Sequence, residues 1–383
     1  MFKDIVDFIK SEFPNKEFIP LHEPLFVGKE REYVMDAIDS TFVSSVGRYV
    51  DEFEKRIAEY TGAKYAVACV NGTAALHMSM IVAGIKRGDM VITQPLSFIA
   101  TCNAIAYLDA QHVFVDVDKD TLGLSPDKLE EFLVSNAERK KDGFTYYKQT
   151  SQRIAACIPM HSFGHPCRID KIAAICKEWN ITLIEDAAES IGSFYQNKHT
   201  GTFGELGTFS FNGNKTITGG GGGAIVTNDE KMAKHAKHLT TQAKVPHKWE
   251  FVHDEIGYNC RMPNLNAALM CAQLEQLETF IENKRNLASH YISFFKNRSI
   301  SFIPEPAYSR SNYWLCSVLL KDLKERDEFL SFTNEHGVMT RPAWRLMNKL
   351  TMFSNAPHVD LGNAQFLEER LVNLPSSVRL KKN

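Results

Sequence analysis

From about residue 50 to 230, short apolar runs alternate with longer segments whose apolar positions recur at helical spacing. EFEKRIAEYTG (52–62) reads as an amphipathic helix ended by Gly62, KYAVACV (64–70) as a buried strand, and TAALHMSMIVAGI (73–85) as a helix opening just after Asn71-Gly72. The series continues with strand DMVIT, helix SFIATCNAIAYL, strand HVFVDV, and helix SPDKLEEFLVS with Ser125 as N-cap and Pro126 at its first position. RIAACIPM, a helix over 169–179 and ITLIED extend the pattern. Such alternation predicts a largely parallel sheet with helices on both faces. Residues 135–153 are polar and read as a surface excursion.

After Pro263 the rhythm changes. NLNAALMCAQLEQLETFIENKRNLASHYISFF (264–295) keeps helical spacing for longer than an ordinary helix, which predicts a helix bridging two lobes or lining a subunit interface. Strand WLCSVLL, helix KERDEFLSFTNEHG ending at Gly337, and strand VMTRP then form a small α+β lobe. The expected organisation is a large α/β domain over 26–262 and a small C-terminal domain over 263–383, with 1–25 as an N-terminal segment.

Composition narrows the classes. The 383 residues are 44% hydrophobic and 23% charged, enough for two lobes with separate cores. Forty-four basic against 46 acidic residues give a formal charge of −2, which is no footprint for nucleic acid, and RKK at 139–141 is too short to alter that. The charged start MFKDIVDFIKSEF has no signal-peptide core, and no apolar run approaches the roughly 18 residues of a membrane span. Eight cysteines without a CxxC pair fit a reducing cytoplasm.

Ligands of open α/β sheets sit at the carboxyl ends of the strands. After KYAVACV, Asn71-Gly72-Thr73 opens a helix and offers free amides to a phosphate. After ITLI come Glu185, Asp186 and Glu189, three acids that burial penalises unless a cation or donors meet them. After DMVIT, Phe98 places a ring at the same edge, a position a core phenylalanine also explains. In FSFNGNKTITGGGGGAIVTND (209–229), Lys215 precedes five glycines, Gly219 to Gly223. GxxxxGK[ST] does not occur there, so a nucleotide phosphate loop is excluded, whereas a fixed amine beside bare backbone suits a Schiff-base lysine. A hairpin without function is the plain alternative. His161 and His165 have i,i+4 spacing, but Gly164 and Pro166 argue against a helix and hence against a metal site.

Taken together, these pieces fit pyridoxal 5′-phosphate: Gly72, Thr73 and Ser210 for the phosphate, Phe98 for the ring face, Asp186 for the pyridine nitrogen and Lys215 for the aldehyde. The motifs FVSSVGRYVDEFE, VNGTAALH, PMHSFGHP, IEDAAES, SFNGNKTITGGGGGAI, GYNCRMPNLNAAL and MTRPAW resemble those of the DegT-type PLP-dependent sugar-nucleotide aminotransferases, of aspartate-aminotransferase-like fold type I. The resemblance runs from HEPLF (22–26) to NLPSS (373–377) and is nearest to the LegC-type branch.

The resemblance implies that Lys215 holds the cofactor covalently, that Asp186 pairs with its ring nitrogen and that Glu189 lies near its ring hydroxyl. It implies that Asn259 reaches the cofactor phosphate of a second subunit, making a homodimer with shared sites, while Cys260 departs from the usual aromatic. Val43, Ser44 and Ser45 are expected near the sugar, with Arg341 and Trp344 entering from the small lobe; Arg341 suits a diphosphate or a carboxylate. The implied reaction uses glutamate, releases 2-oxoglutarate and passes through pyridoxamine 5′-phosphate. It aminates C4 of a UDP-linked 4-keto-6-deoxy-N-acetylhexosamine for surface glycan or nonulosonic acid synthesis. The alternatives are a GDP- or dTDP-linked 3- or 4-keto-6-deoxy sugar, or a non-catalytic regulatory protein on the same scaffold.

Overall fold

The computed structural model describes residues 2–379. Seven strands form the main sheet: β1 (Tyr65–Cys69), β2 (Met90–Thr93), β3 (Gln111–Phe114), β4 (Ile154–Ile158), β5 (Thr182–Asp186), β6 (Leu206–Ser210) and β7 (Gly223–Thr227). Their spatial order is β1-β7-β6-β5-β4-β2-β3, and only β7 runs antiparallel to its neighbours. The parallel strands β2 and β5 are buried on both faces, which is why MVI and ITLI read as apolar without polar alternation.

Helices follow the predicted signals. Arg48–Thr61 ends at Gly62, which takes a left-handed φ of 76°, and Pro126–Asn136 starts from Ser125, whose side chain accepts the Lys128 amide. The 135–153 excursion is more ordered than its polarity suggested. Ala137–Arg139 pairs antiparallel with Thr145–Tyr147, and Ala137 and Tyr147 are buried in the core behind them.

A second, four-stranded sheet joins β8 (Ser301–Phe302), β9 (Cys316–Leu319), β10 (Arg341–Pro342) and β11 (Leu371–Leu374) in the order β8-β9-β11-β10. The strand expected over VMTRP is thus only Arg341–Pro342, while Val338 bridges instead to Ile19. The N-terminal helix Phe2–Glu12 lays Ile5, Val6 and Ile9 into the core under this sheet, against Tyr291 and Phe329.

The long helix expected over 264–295 is two helices, Asn264–Leu274 and Leu277–Phe295. The chain breaks where its partners change: Gln273 turns to Glu30 and the Leu25 carbonyl, while Glu275 turns to Arg56 and Tyr33. Ala267, Met270, Leu277 and Ile281 belong to the core of the main sheet, whereas Leu287, Tyr291 and Phe295 belong to that of the second. The chain therefore passes between cores inside the second helix, beyond the boundary drawn at 263.

Candidate active site

Five strand ends converge on one cavity of about 460 Å³ between the two sheets. After β1, Asn71 caps the helix Gly72–Val82: its Oδ1 accepts the Ala74 amide at 2.8 Å and its carbonyl the Ala75 amide at 3.1 Å. The Gly72 and Thr73 amides of that first turn remain at the cavity wall. A Cβ on Gly72 would stand 2.7 Å from the Ser210 Cβ at the end of β6, so these backbones approach as closely as only glycine permits.

The three acids each find a different answer. Glu185 is fully buried and accepts the amides of Gly201, Phe203 and Gly204 at 2.6–2.8 Å, with His161 Nε2 at 3.0 Å. It anchors the 201–204 loop and does not line the cavity. Asp186 accepts Thr101 Oγ1 at 2.6 Å and the Ala188 amide at 3.1 Å; burial raises its pKa against those bonds and the field of Lys215. Glu189 accepts the Phe163 amide at 2.8 Å and Lys215 Nζ at 3.2 Å, and burial still lifts its pKa to about 7.

Phe163 holds that amide in place from a left-handed backbone (φ 57°). Such a conformation costs about 1–3 kcal/mol, against which the bond to the buried Glu189 carboxyl contributes. The Phe163 ring stacks on Trp344 with centroids 4.6 Å apart.

Lys215 lies in the turn after β6, with its amide donating to the Asn212 carbonyl. Its ammonium sits 3.9 Å from the centroid of Trp314, whose Nε1 donates to the Asn214 carbonyl at 2.7 Å. The glycine run serves backbone geometry: Gly220 and Gly222 have φ of 78° and 138°, and a Cβ on Gly223 would meet the Asn71 carbonyl oxygen at 2.4 Å. Phe98 precedes helix Ile99–Ala106 and is 47% exposed at the cavity, so the core reading of this residue does not hold.

Of the sequence-derived residues, Gly72, Thr73, Phe98, Asp186, Glu189, Ser210, Lys215, Arg341 and Trp344 line this cavity. Val43, Ser44, Ser45 and Asn259 do not. The Val43 and Ser44 carbonyls accept the Leu265 and Asn264 amides at a helix start, and Asn259 is exposed beside Thr241. The histidine pair is structural: His161 is taken by Glu185 and the Cys167 amide, while His165 is buried edge-on to Tyr313. Sequence reasoning missed Thr101, Trp314 and His22. Thr101, one helical turn after Phe98, is the one that spacing alone could have found.

The donors fit the cofactor the sequence pointed to: a helix start stripped of side-chain bulk for a phosphate, a buried carboxylate for a ring nitrogen and an amine between them. Fold and site together define a pyridoxal-phosphate-dependent transferase of the aspartate-aminotransferase-like fold type I. The chain belongs to the DegT/DnrJ/EryC1/StrS aminotransferase family, whose model matches residues 26–383, and it is a pyridoxal-phosphate-dependent aminotransferase. It is 38% identical over 360 residues to a GDP-perosamine synthase of Escherichia coli O157:H7, covering 94% of this chain and 93% of the relative. Identity to a GDP-perosamine synthase of Vibrio cholerae is 35% over 366 residues, covering 94% of each. A DegT DnrJ EryC1 StrS aminotransferase from Brucella abortus superposes with a TM-score of 0.84 at 27% identity, over 92% of this chain and 91% of that one. No helix among the described residues is long and apolar enough to cross a membrane.

Proposed function

We propose that the enzyme transfers the amino group of glutamate to the C4 keto group of a nucleotide-linked 4-keto-6-deoxyhexose, giving 2-oxoglutarate and a 4-amino-4,6-dideoxy sugar nucleotide. The observation that carries this reading is one cavity holding the Lys215 amine, the Asp186 carboxylate and the Gly72–Thr73 helix start together. GDP is the first choice of nucleotide, because relatives at 38% and 35% identity are GDP-perosamine synthases. A UDP-linked N-acetylhexosamine is the second reading, supported by the resemblance of the motifs to the LegC-type branch.

When bound, pyridoxal phosphate carries the amine and withdraws electrons from the carbon to be deprotonated. The chain's own groups do the rest. The Gly72 and Thr73 amides and Ser210 bind the phosphate at the positive end of the helix. Asp186, oriented by Thr101, stabilises a protonated ring nitrogen. Phe98 covers one ring face. Lys215 takes the proton from the donor's α-carbon and later returns one to the sugar carbon, as general base and then acid. Glu189 holds the Lys215 amine over Trp314. Arg341 binds a carboxylate or diphosphate from the small lobe.

Lys215→Ala is the direct test. The variant is expected to bind the cofactor yet lose at least about a hundredfold in turnover, the low end of the ~10²–10⁴-fold contribution of proton transfer. Borohydride-reduced wild type should carry a pyridoxyl group on Lys215 by peptide mass. Normal turnover in the variant, or an unmodified Lys215 peptide, overturns the assignment. Glutamate with a panel of GDP-, UDP- and dTDP-linked keto sugars decides the nucleotide.

A further inference from the structure

The N-terminal segment enters the same cavity, where Leu21 and His22 form part of the wall. It is fixed by the Leu21 carbonyl accepting the Ser376 amide at 2.8 Å and the Glu23 amide donating to Ser377 Oγ at 3.0 Å. Many of the other polar side chains around the cavity already have protein partners. Asp186 has Thr101, Glu189 has Lys215, Arg341 has Asn334, and Asn373 has Ser317.

His22 differs. Both its ring nitrogens are buried, and neither meets a hydrogen-bond partner in the protein. His165 is buried unpaired as well, but it lies away from the cavity, whereas His22 is part of the cavity wall, where a bound molecule can supply the missing partner. No protein hydrogen bond fixes the ring at the cavity wall.

The chemistry of that partner follows from the ring's charge. Burial, with Lys284 and then Lys215 adding to it, keeps the imidazole well below its usual pKa and therefore neutral. A neutral imidazole offers one N–H and one lone pair. A carboxylate only accepts and would leave the lone pair unmet, while Arg341 already supplies a fixed positive charge for an anion. A sugar hydroxyl both donates and accepts.

We infer that His22 is a substrate-binding residue that pairs with a hydroxyl of the sugar ring and serves the sugar half of the reaction, not the glutamate half. This rests on the sugar-nucleotide reading above. The test uses cofactor-loaded wild type, His22→Phe and His22→Asn in separate half-reactions. Glutamate-driven loss of the cofactor's visible band reads the first, and return of the band on adding the keto sugar nucleotide reads the second.

His22→Phe is expected to keep the glutamate rate and to lose about tenfold in kcat/KM for the sugar. His22→Asn, which retains a donor and an acceptor, should recover part of that loss. Equal losses in both halves, or no loss in the sugar half, overturn the inference. If His22→Phe fails to bind the cofactor, His22→Asn decides alone: a raised sugar KM with an unchanged glutamate rate supports it, and unchanged values in both overturn it. A wild-type enzyme that consumes glutamate but passes the amine to no keto sugar nucleotide overturns the sugar reading itself, and the role of His22 falls with it.

Discussion

Glu189 is a carboxyl group kept at the edge of ionisation by its surroundings. Burial lifts its pKa from an ordinary 4.5 to about 7, although Lys215 and the Phe163 amide pull the other way. In the unfolded chain it ionises near the ordinary value, so between about 4.5 and 7 the folded chain holds a proton the unfolded chain has lost. Stability therefore falls as pH rises through that window and levels off above it. In the cofactor-free protein, Glu189→Gln should flatten this part of a Tm-against-pH curve; a variant whose Tm declines as steeply as wild type would assign the titration to another group. Three acids after ITLI were visible in the sequence, and their need for partners followed from desolvation alone. Which acid does which task was not visible, because Glu185 and Asp186 are adjacent in β5 and point to opposite faces of the sheet. One meets loop amides, the other Thr101. His22 was illegible for a related reason: its neighbours Leu21 and Glu23 are held by Ser376 and Ser377, 354 residues away for the Glu23–Ser377 bond, and its role depends on what the folded chain fails to offer the ring.

Among the elements, those legible in advance were the ones whose signals are local. The N-cap at Ser125, the stop at Gly62 and the helix after Asn71 depend on residues within a turn of the event. The break at 275–276 depends instead on which core each half faces, and apolar spacing continues across it unchanged. The glycines make the same point in reverse: a run of five announces close approach, but only the fold shows Gly223 against the Asn71 carbonyl and Gly72 against Ser210. This geometry yields a test of the phosphate cradle. Gly72→Ala would set a Cβ 2.7 Å from that of Ser210, forcing the helix start away from β6. Cofactor affinity should drop at least tenfold in an absorbance titration, by the loss of aligned amides, with helix content unchanged in far-UV circular dichroism. Ser210→Ala, which removes a hydroxyl but moves no backbone, should cost less. Equal affinity in Gly72→Ala and wild type would remove the phosphate from this end of the cavity.

At the scale of the whole molecule, the cavity is walled by both cores and by the N-terminal segment, yet four residues tied to function by resemblance lie outside it. Val43, Ser44, Ser45 and Asn259 sit on surface segments that also carry exposed apolar side chains: Phe42, Val46, Trp249, Phe251 and Ile256. Exposed apolar side chains on such segments are what a contact with another protein would cover. We propose that a second copy of the chain covers them, with Asn259 reaching the cofactor phosphate of its partner, and complementation tests this. Lys215→Ala and Asn259→Ala should each be nearly inactive as pure proteins. In a mixed dimer, one site combines the intact Lys215 of one subunit with the intact Asn259 of the other, while the second site has neither. Random exchange makes half the dimers mixed, each with one working site of two, so unfolding and refolding the pair together should restore about a quarter of wild-type activity. If Asn259 served its own chain's cavity, every site in the mixture would carry one defect and no activity would return. Activity that stays at the level of the separate variants, with the mixed dimer confirmed by mass, would rule out a shared site.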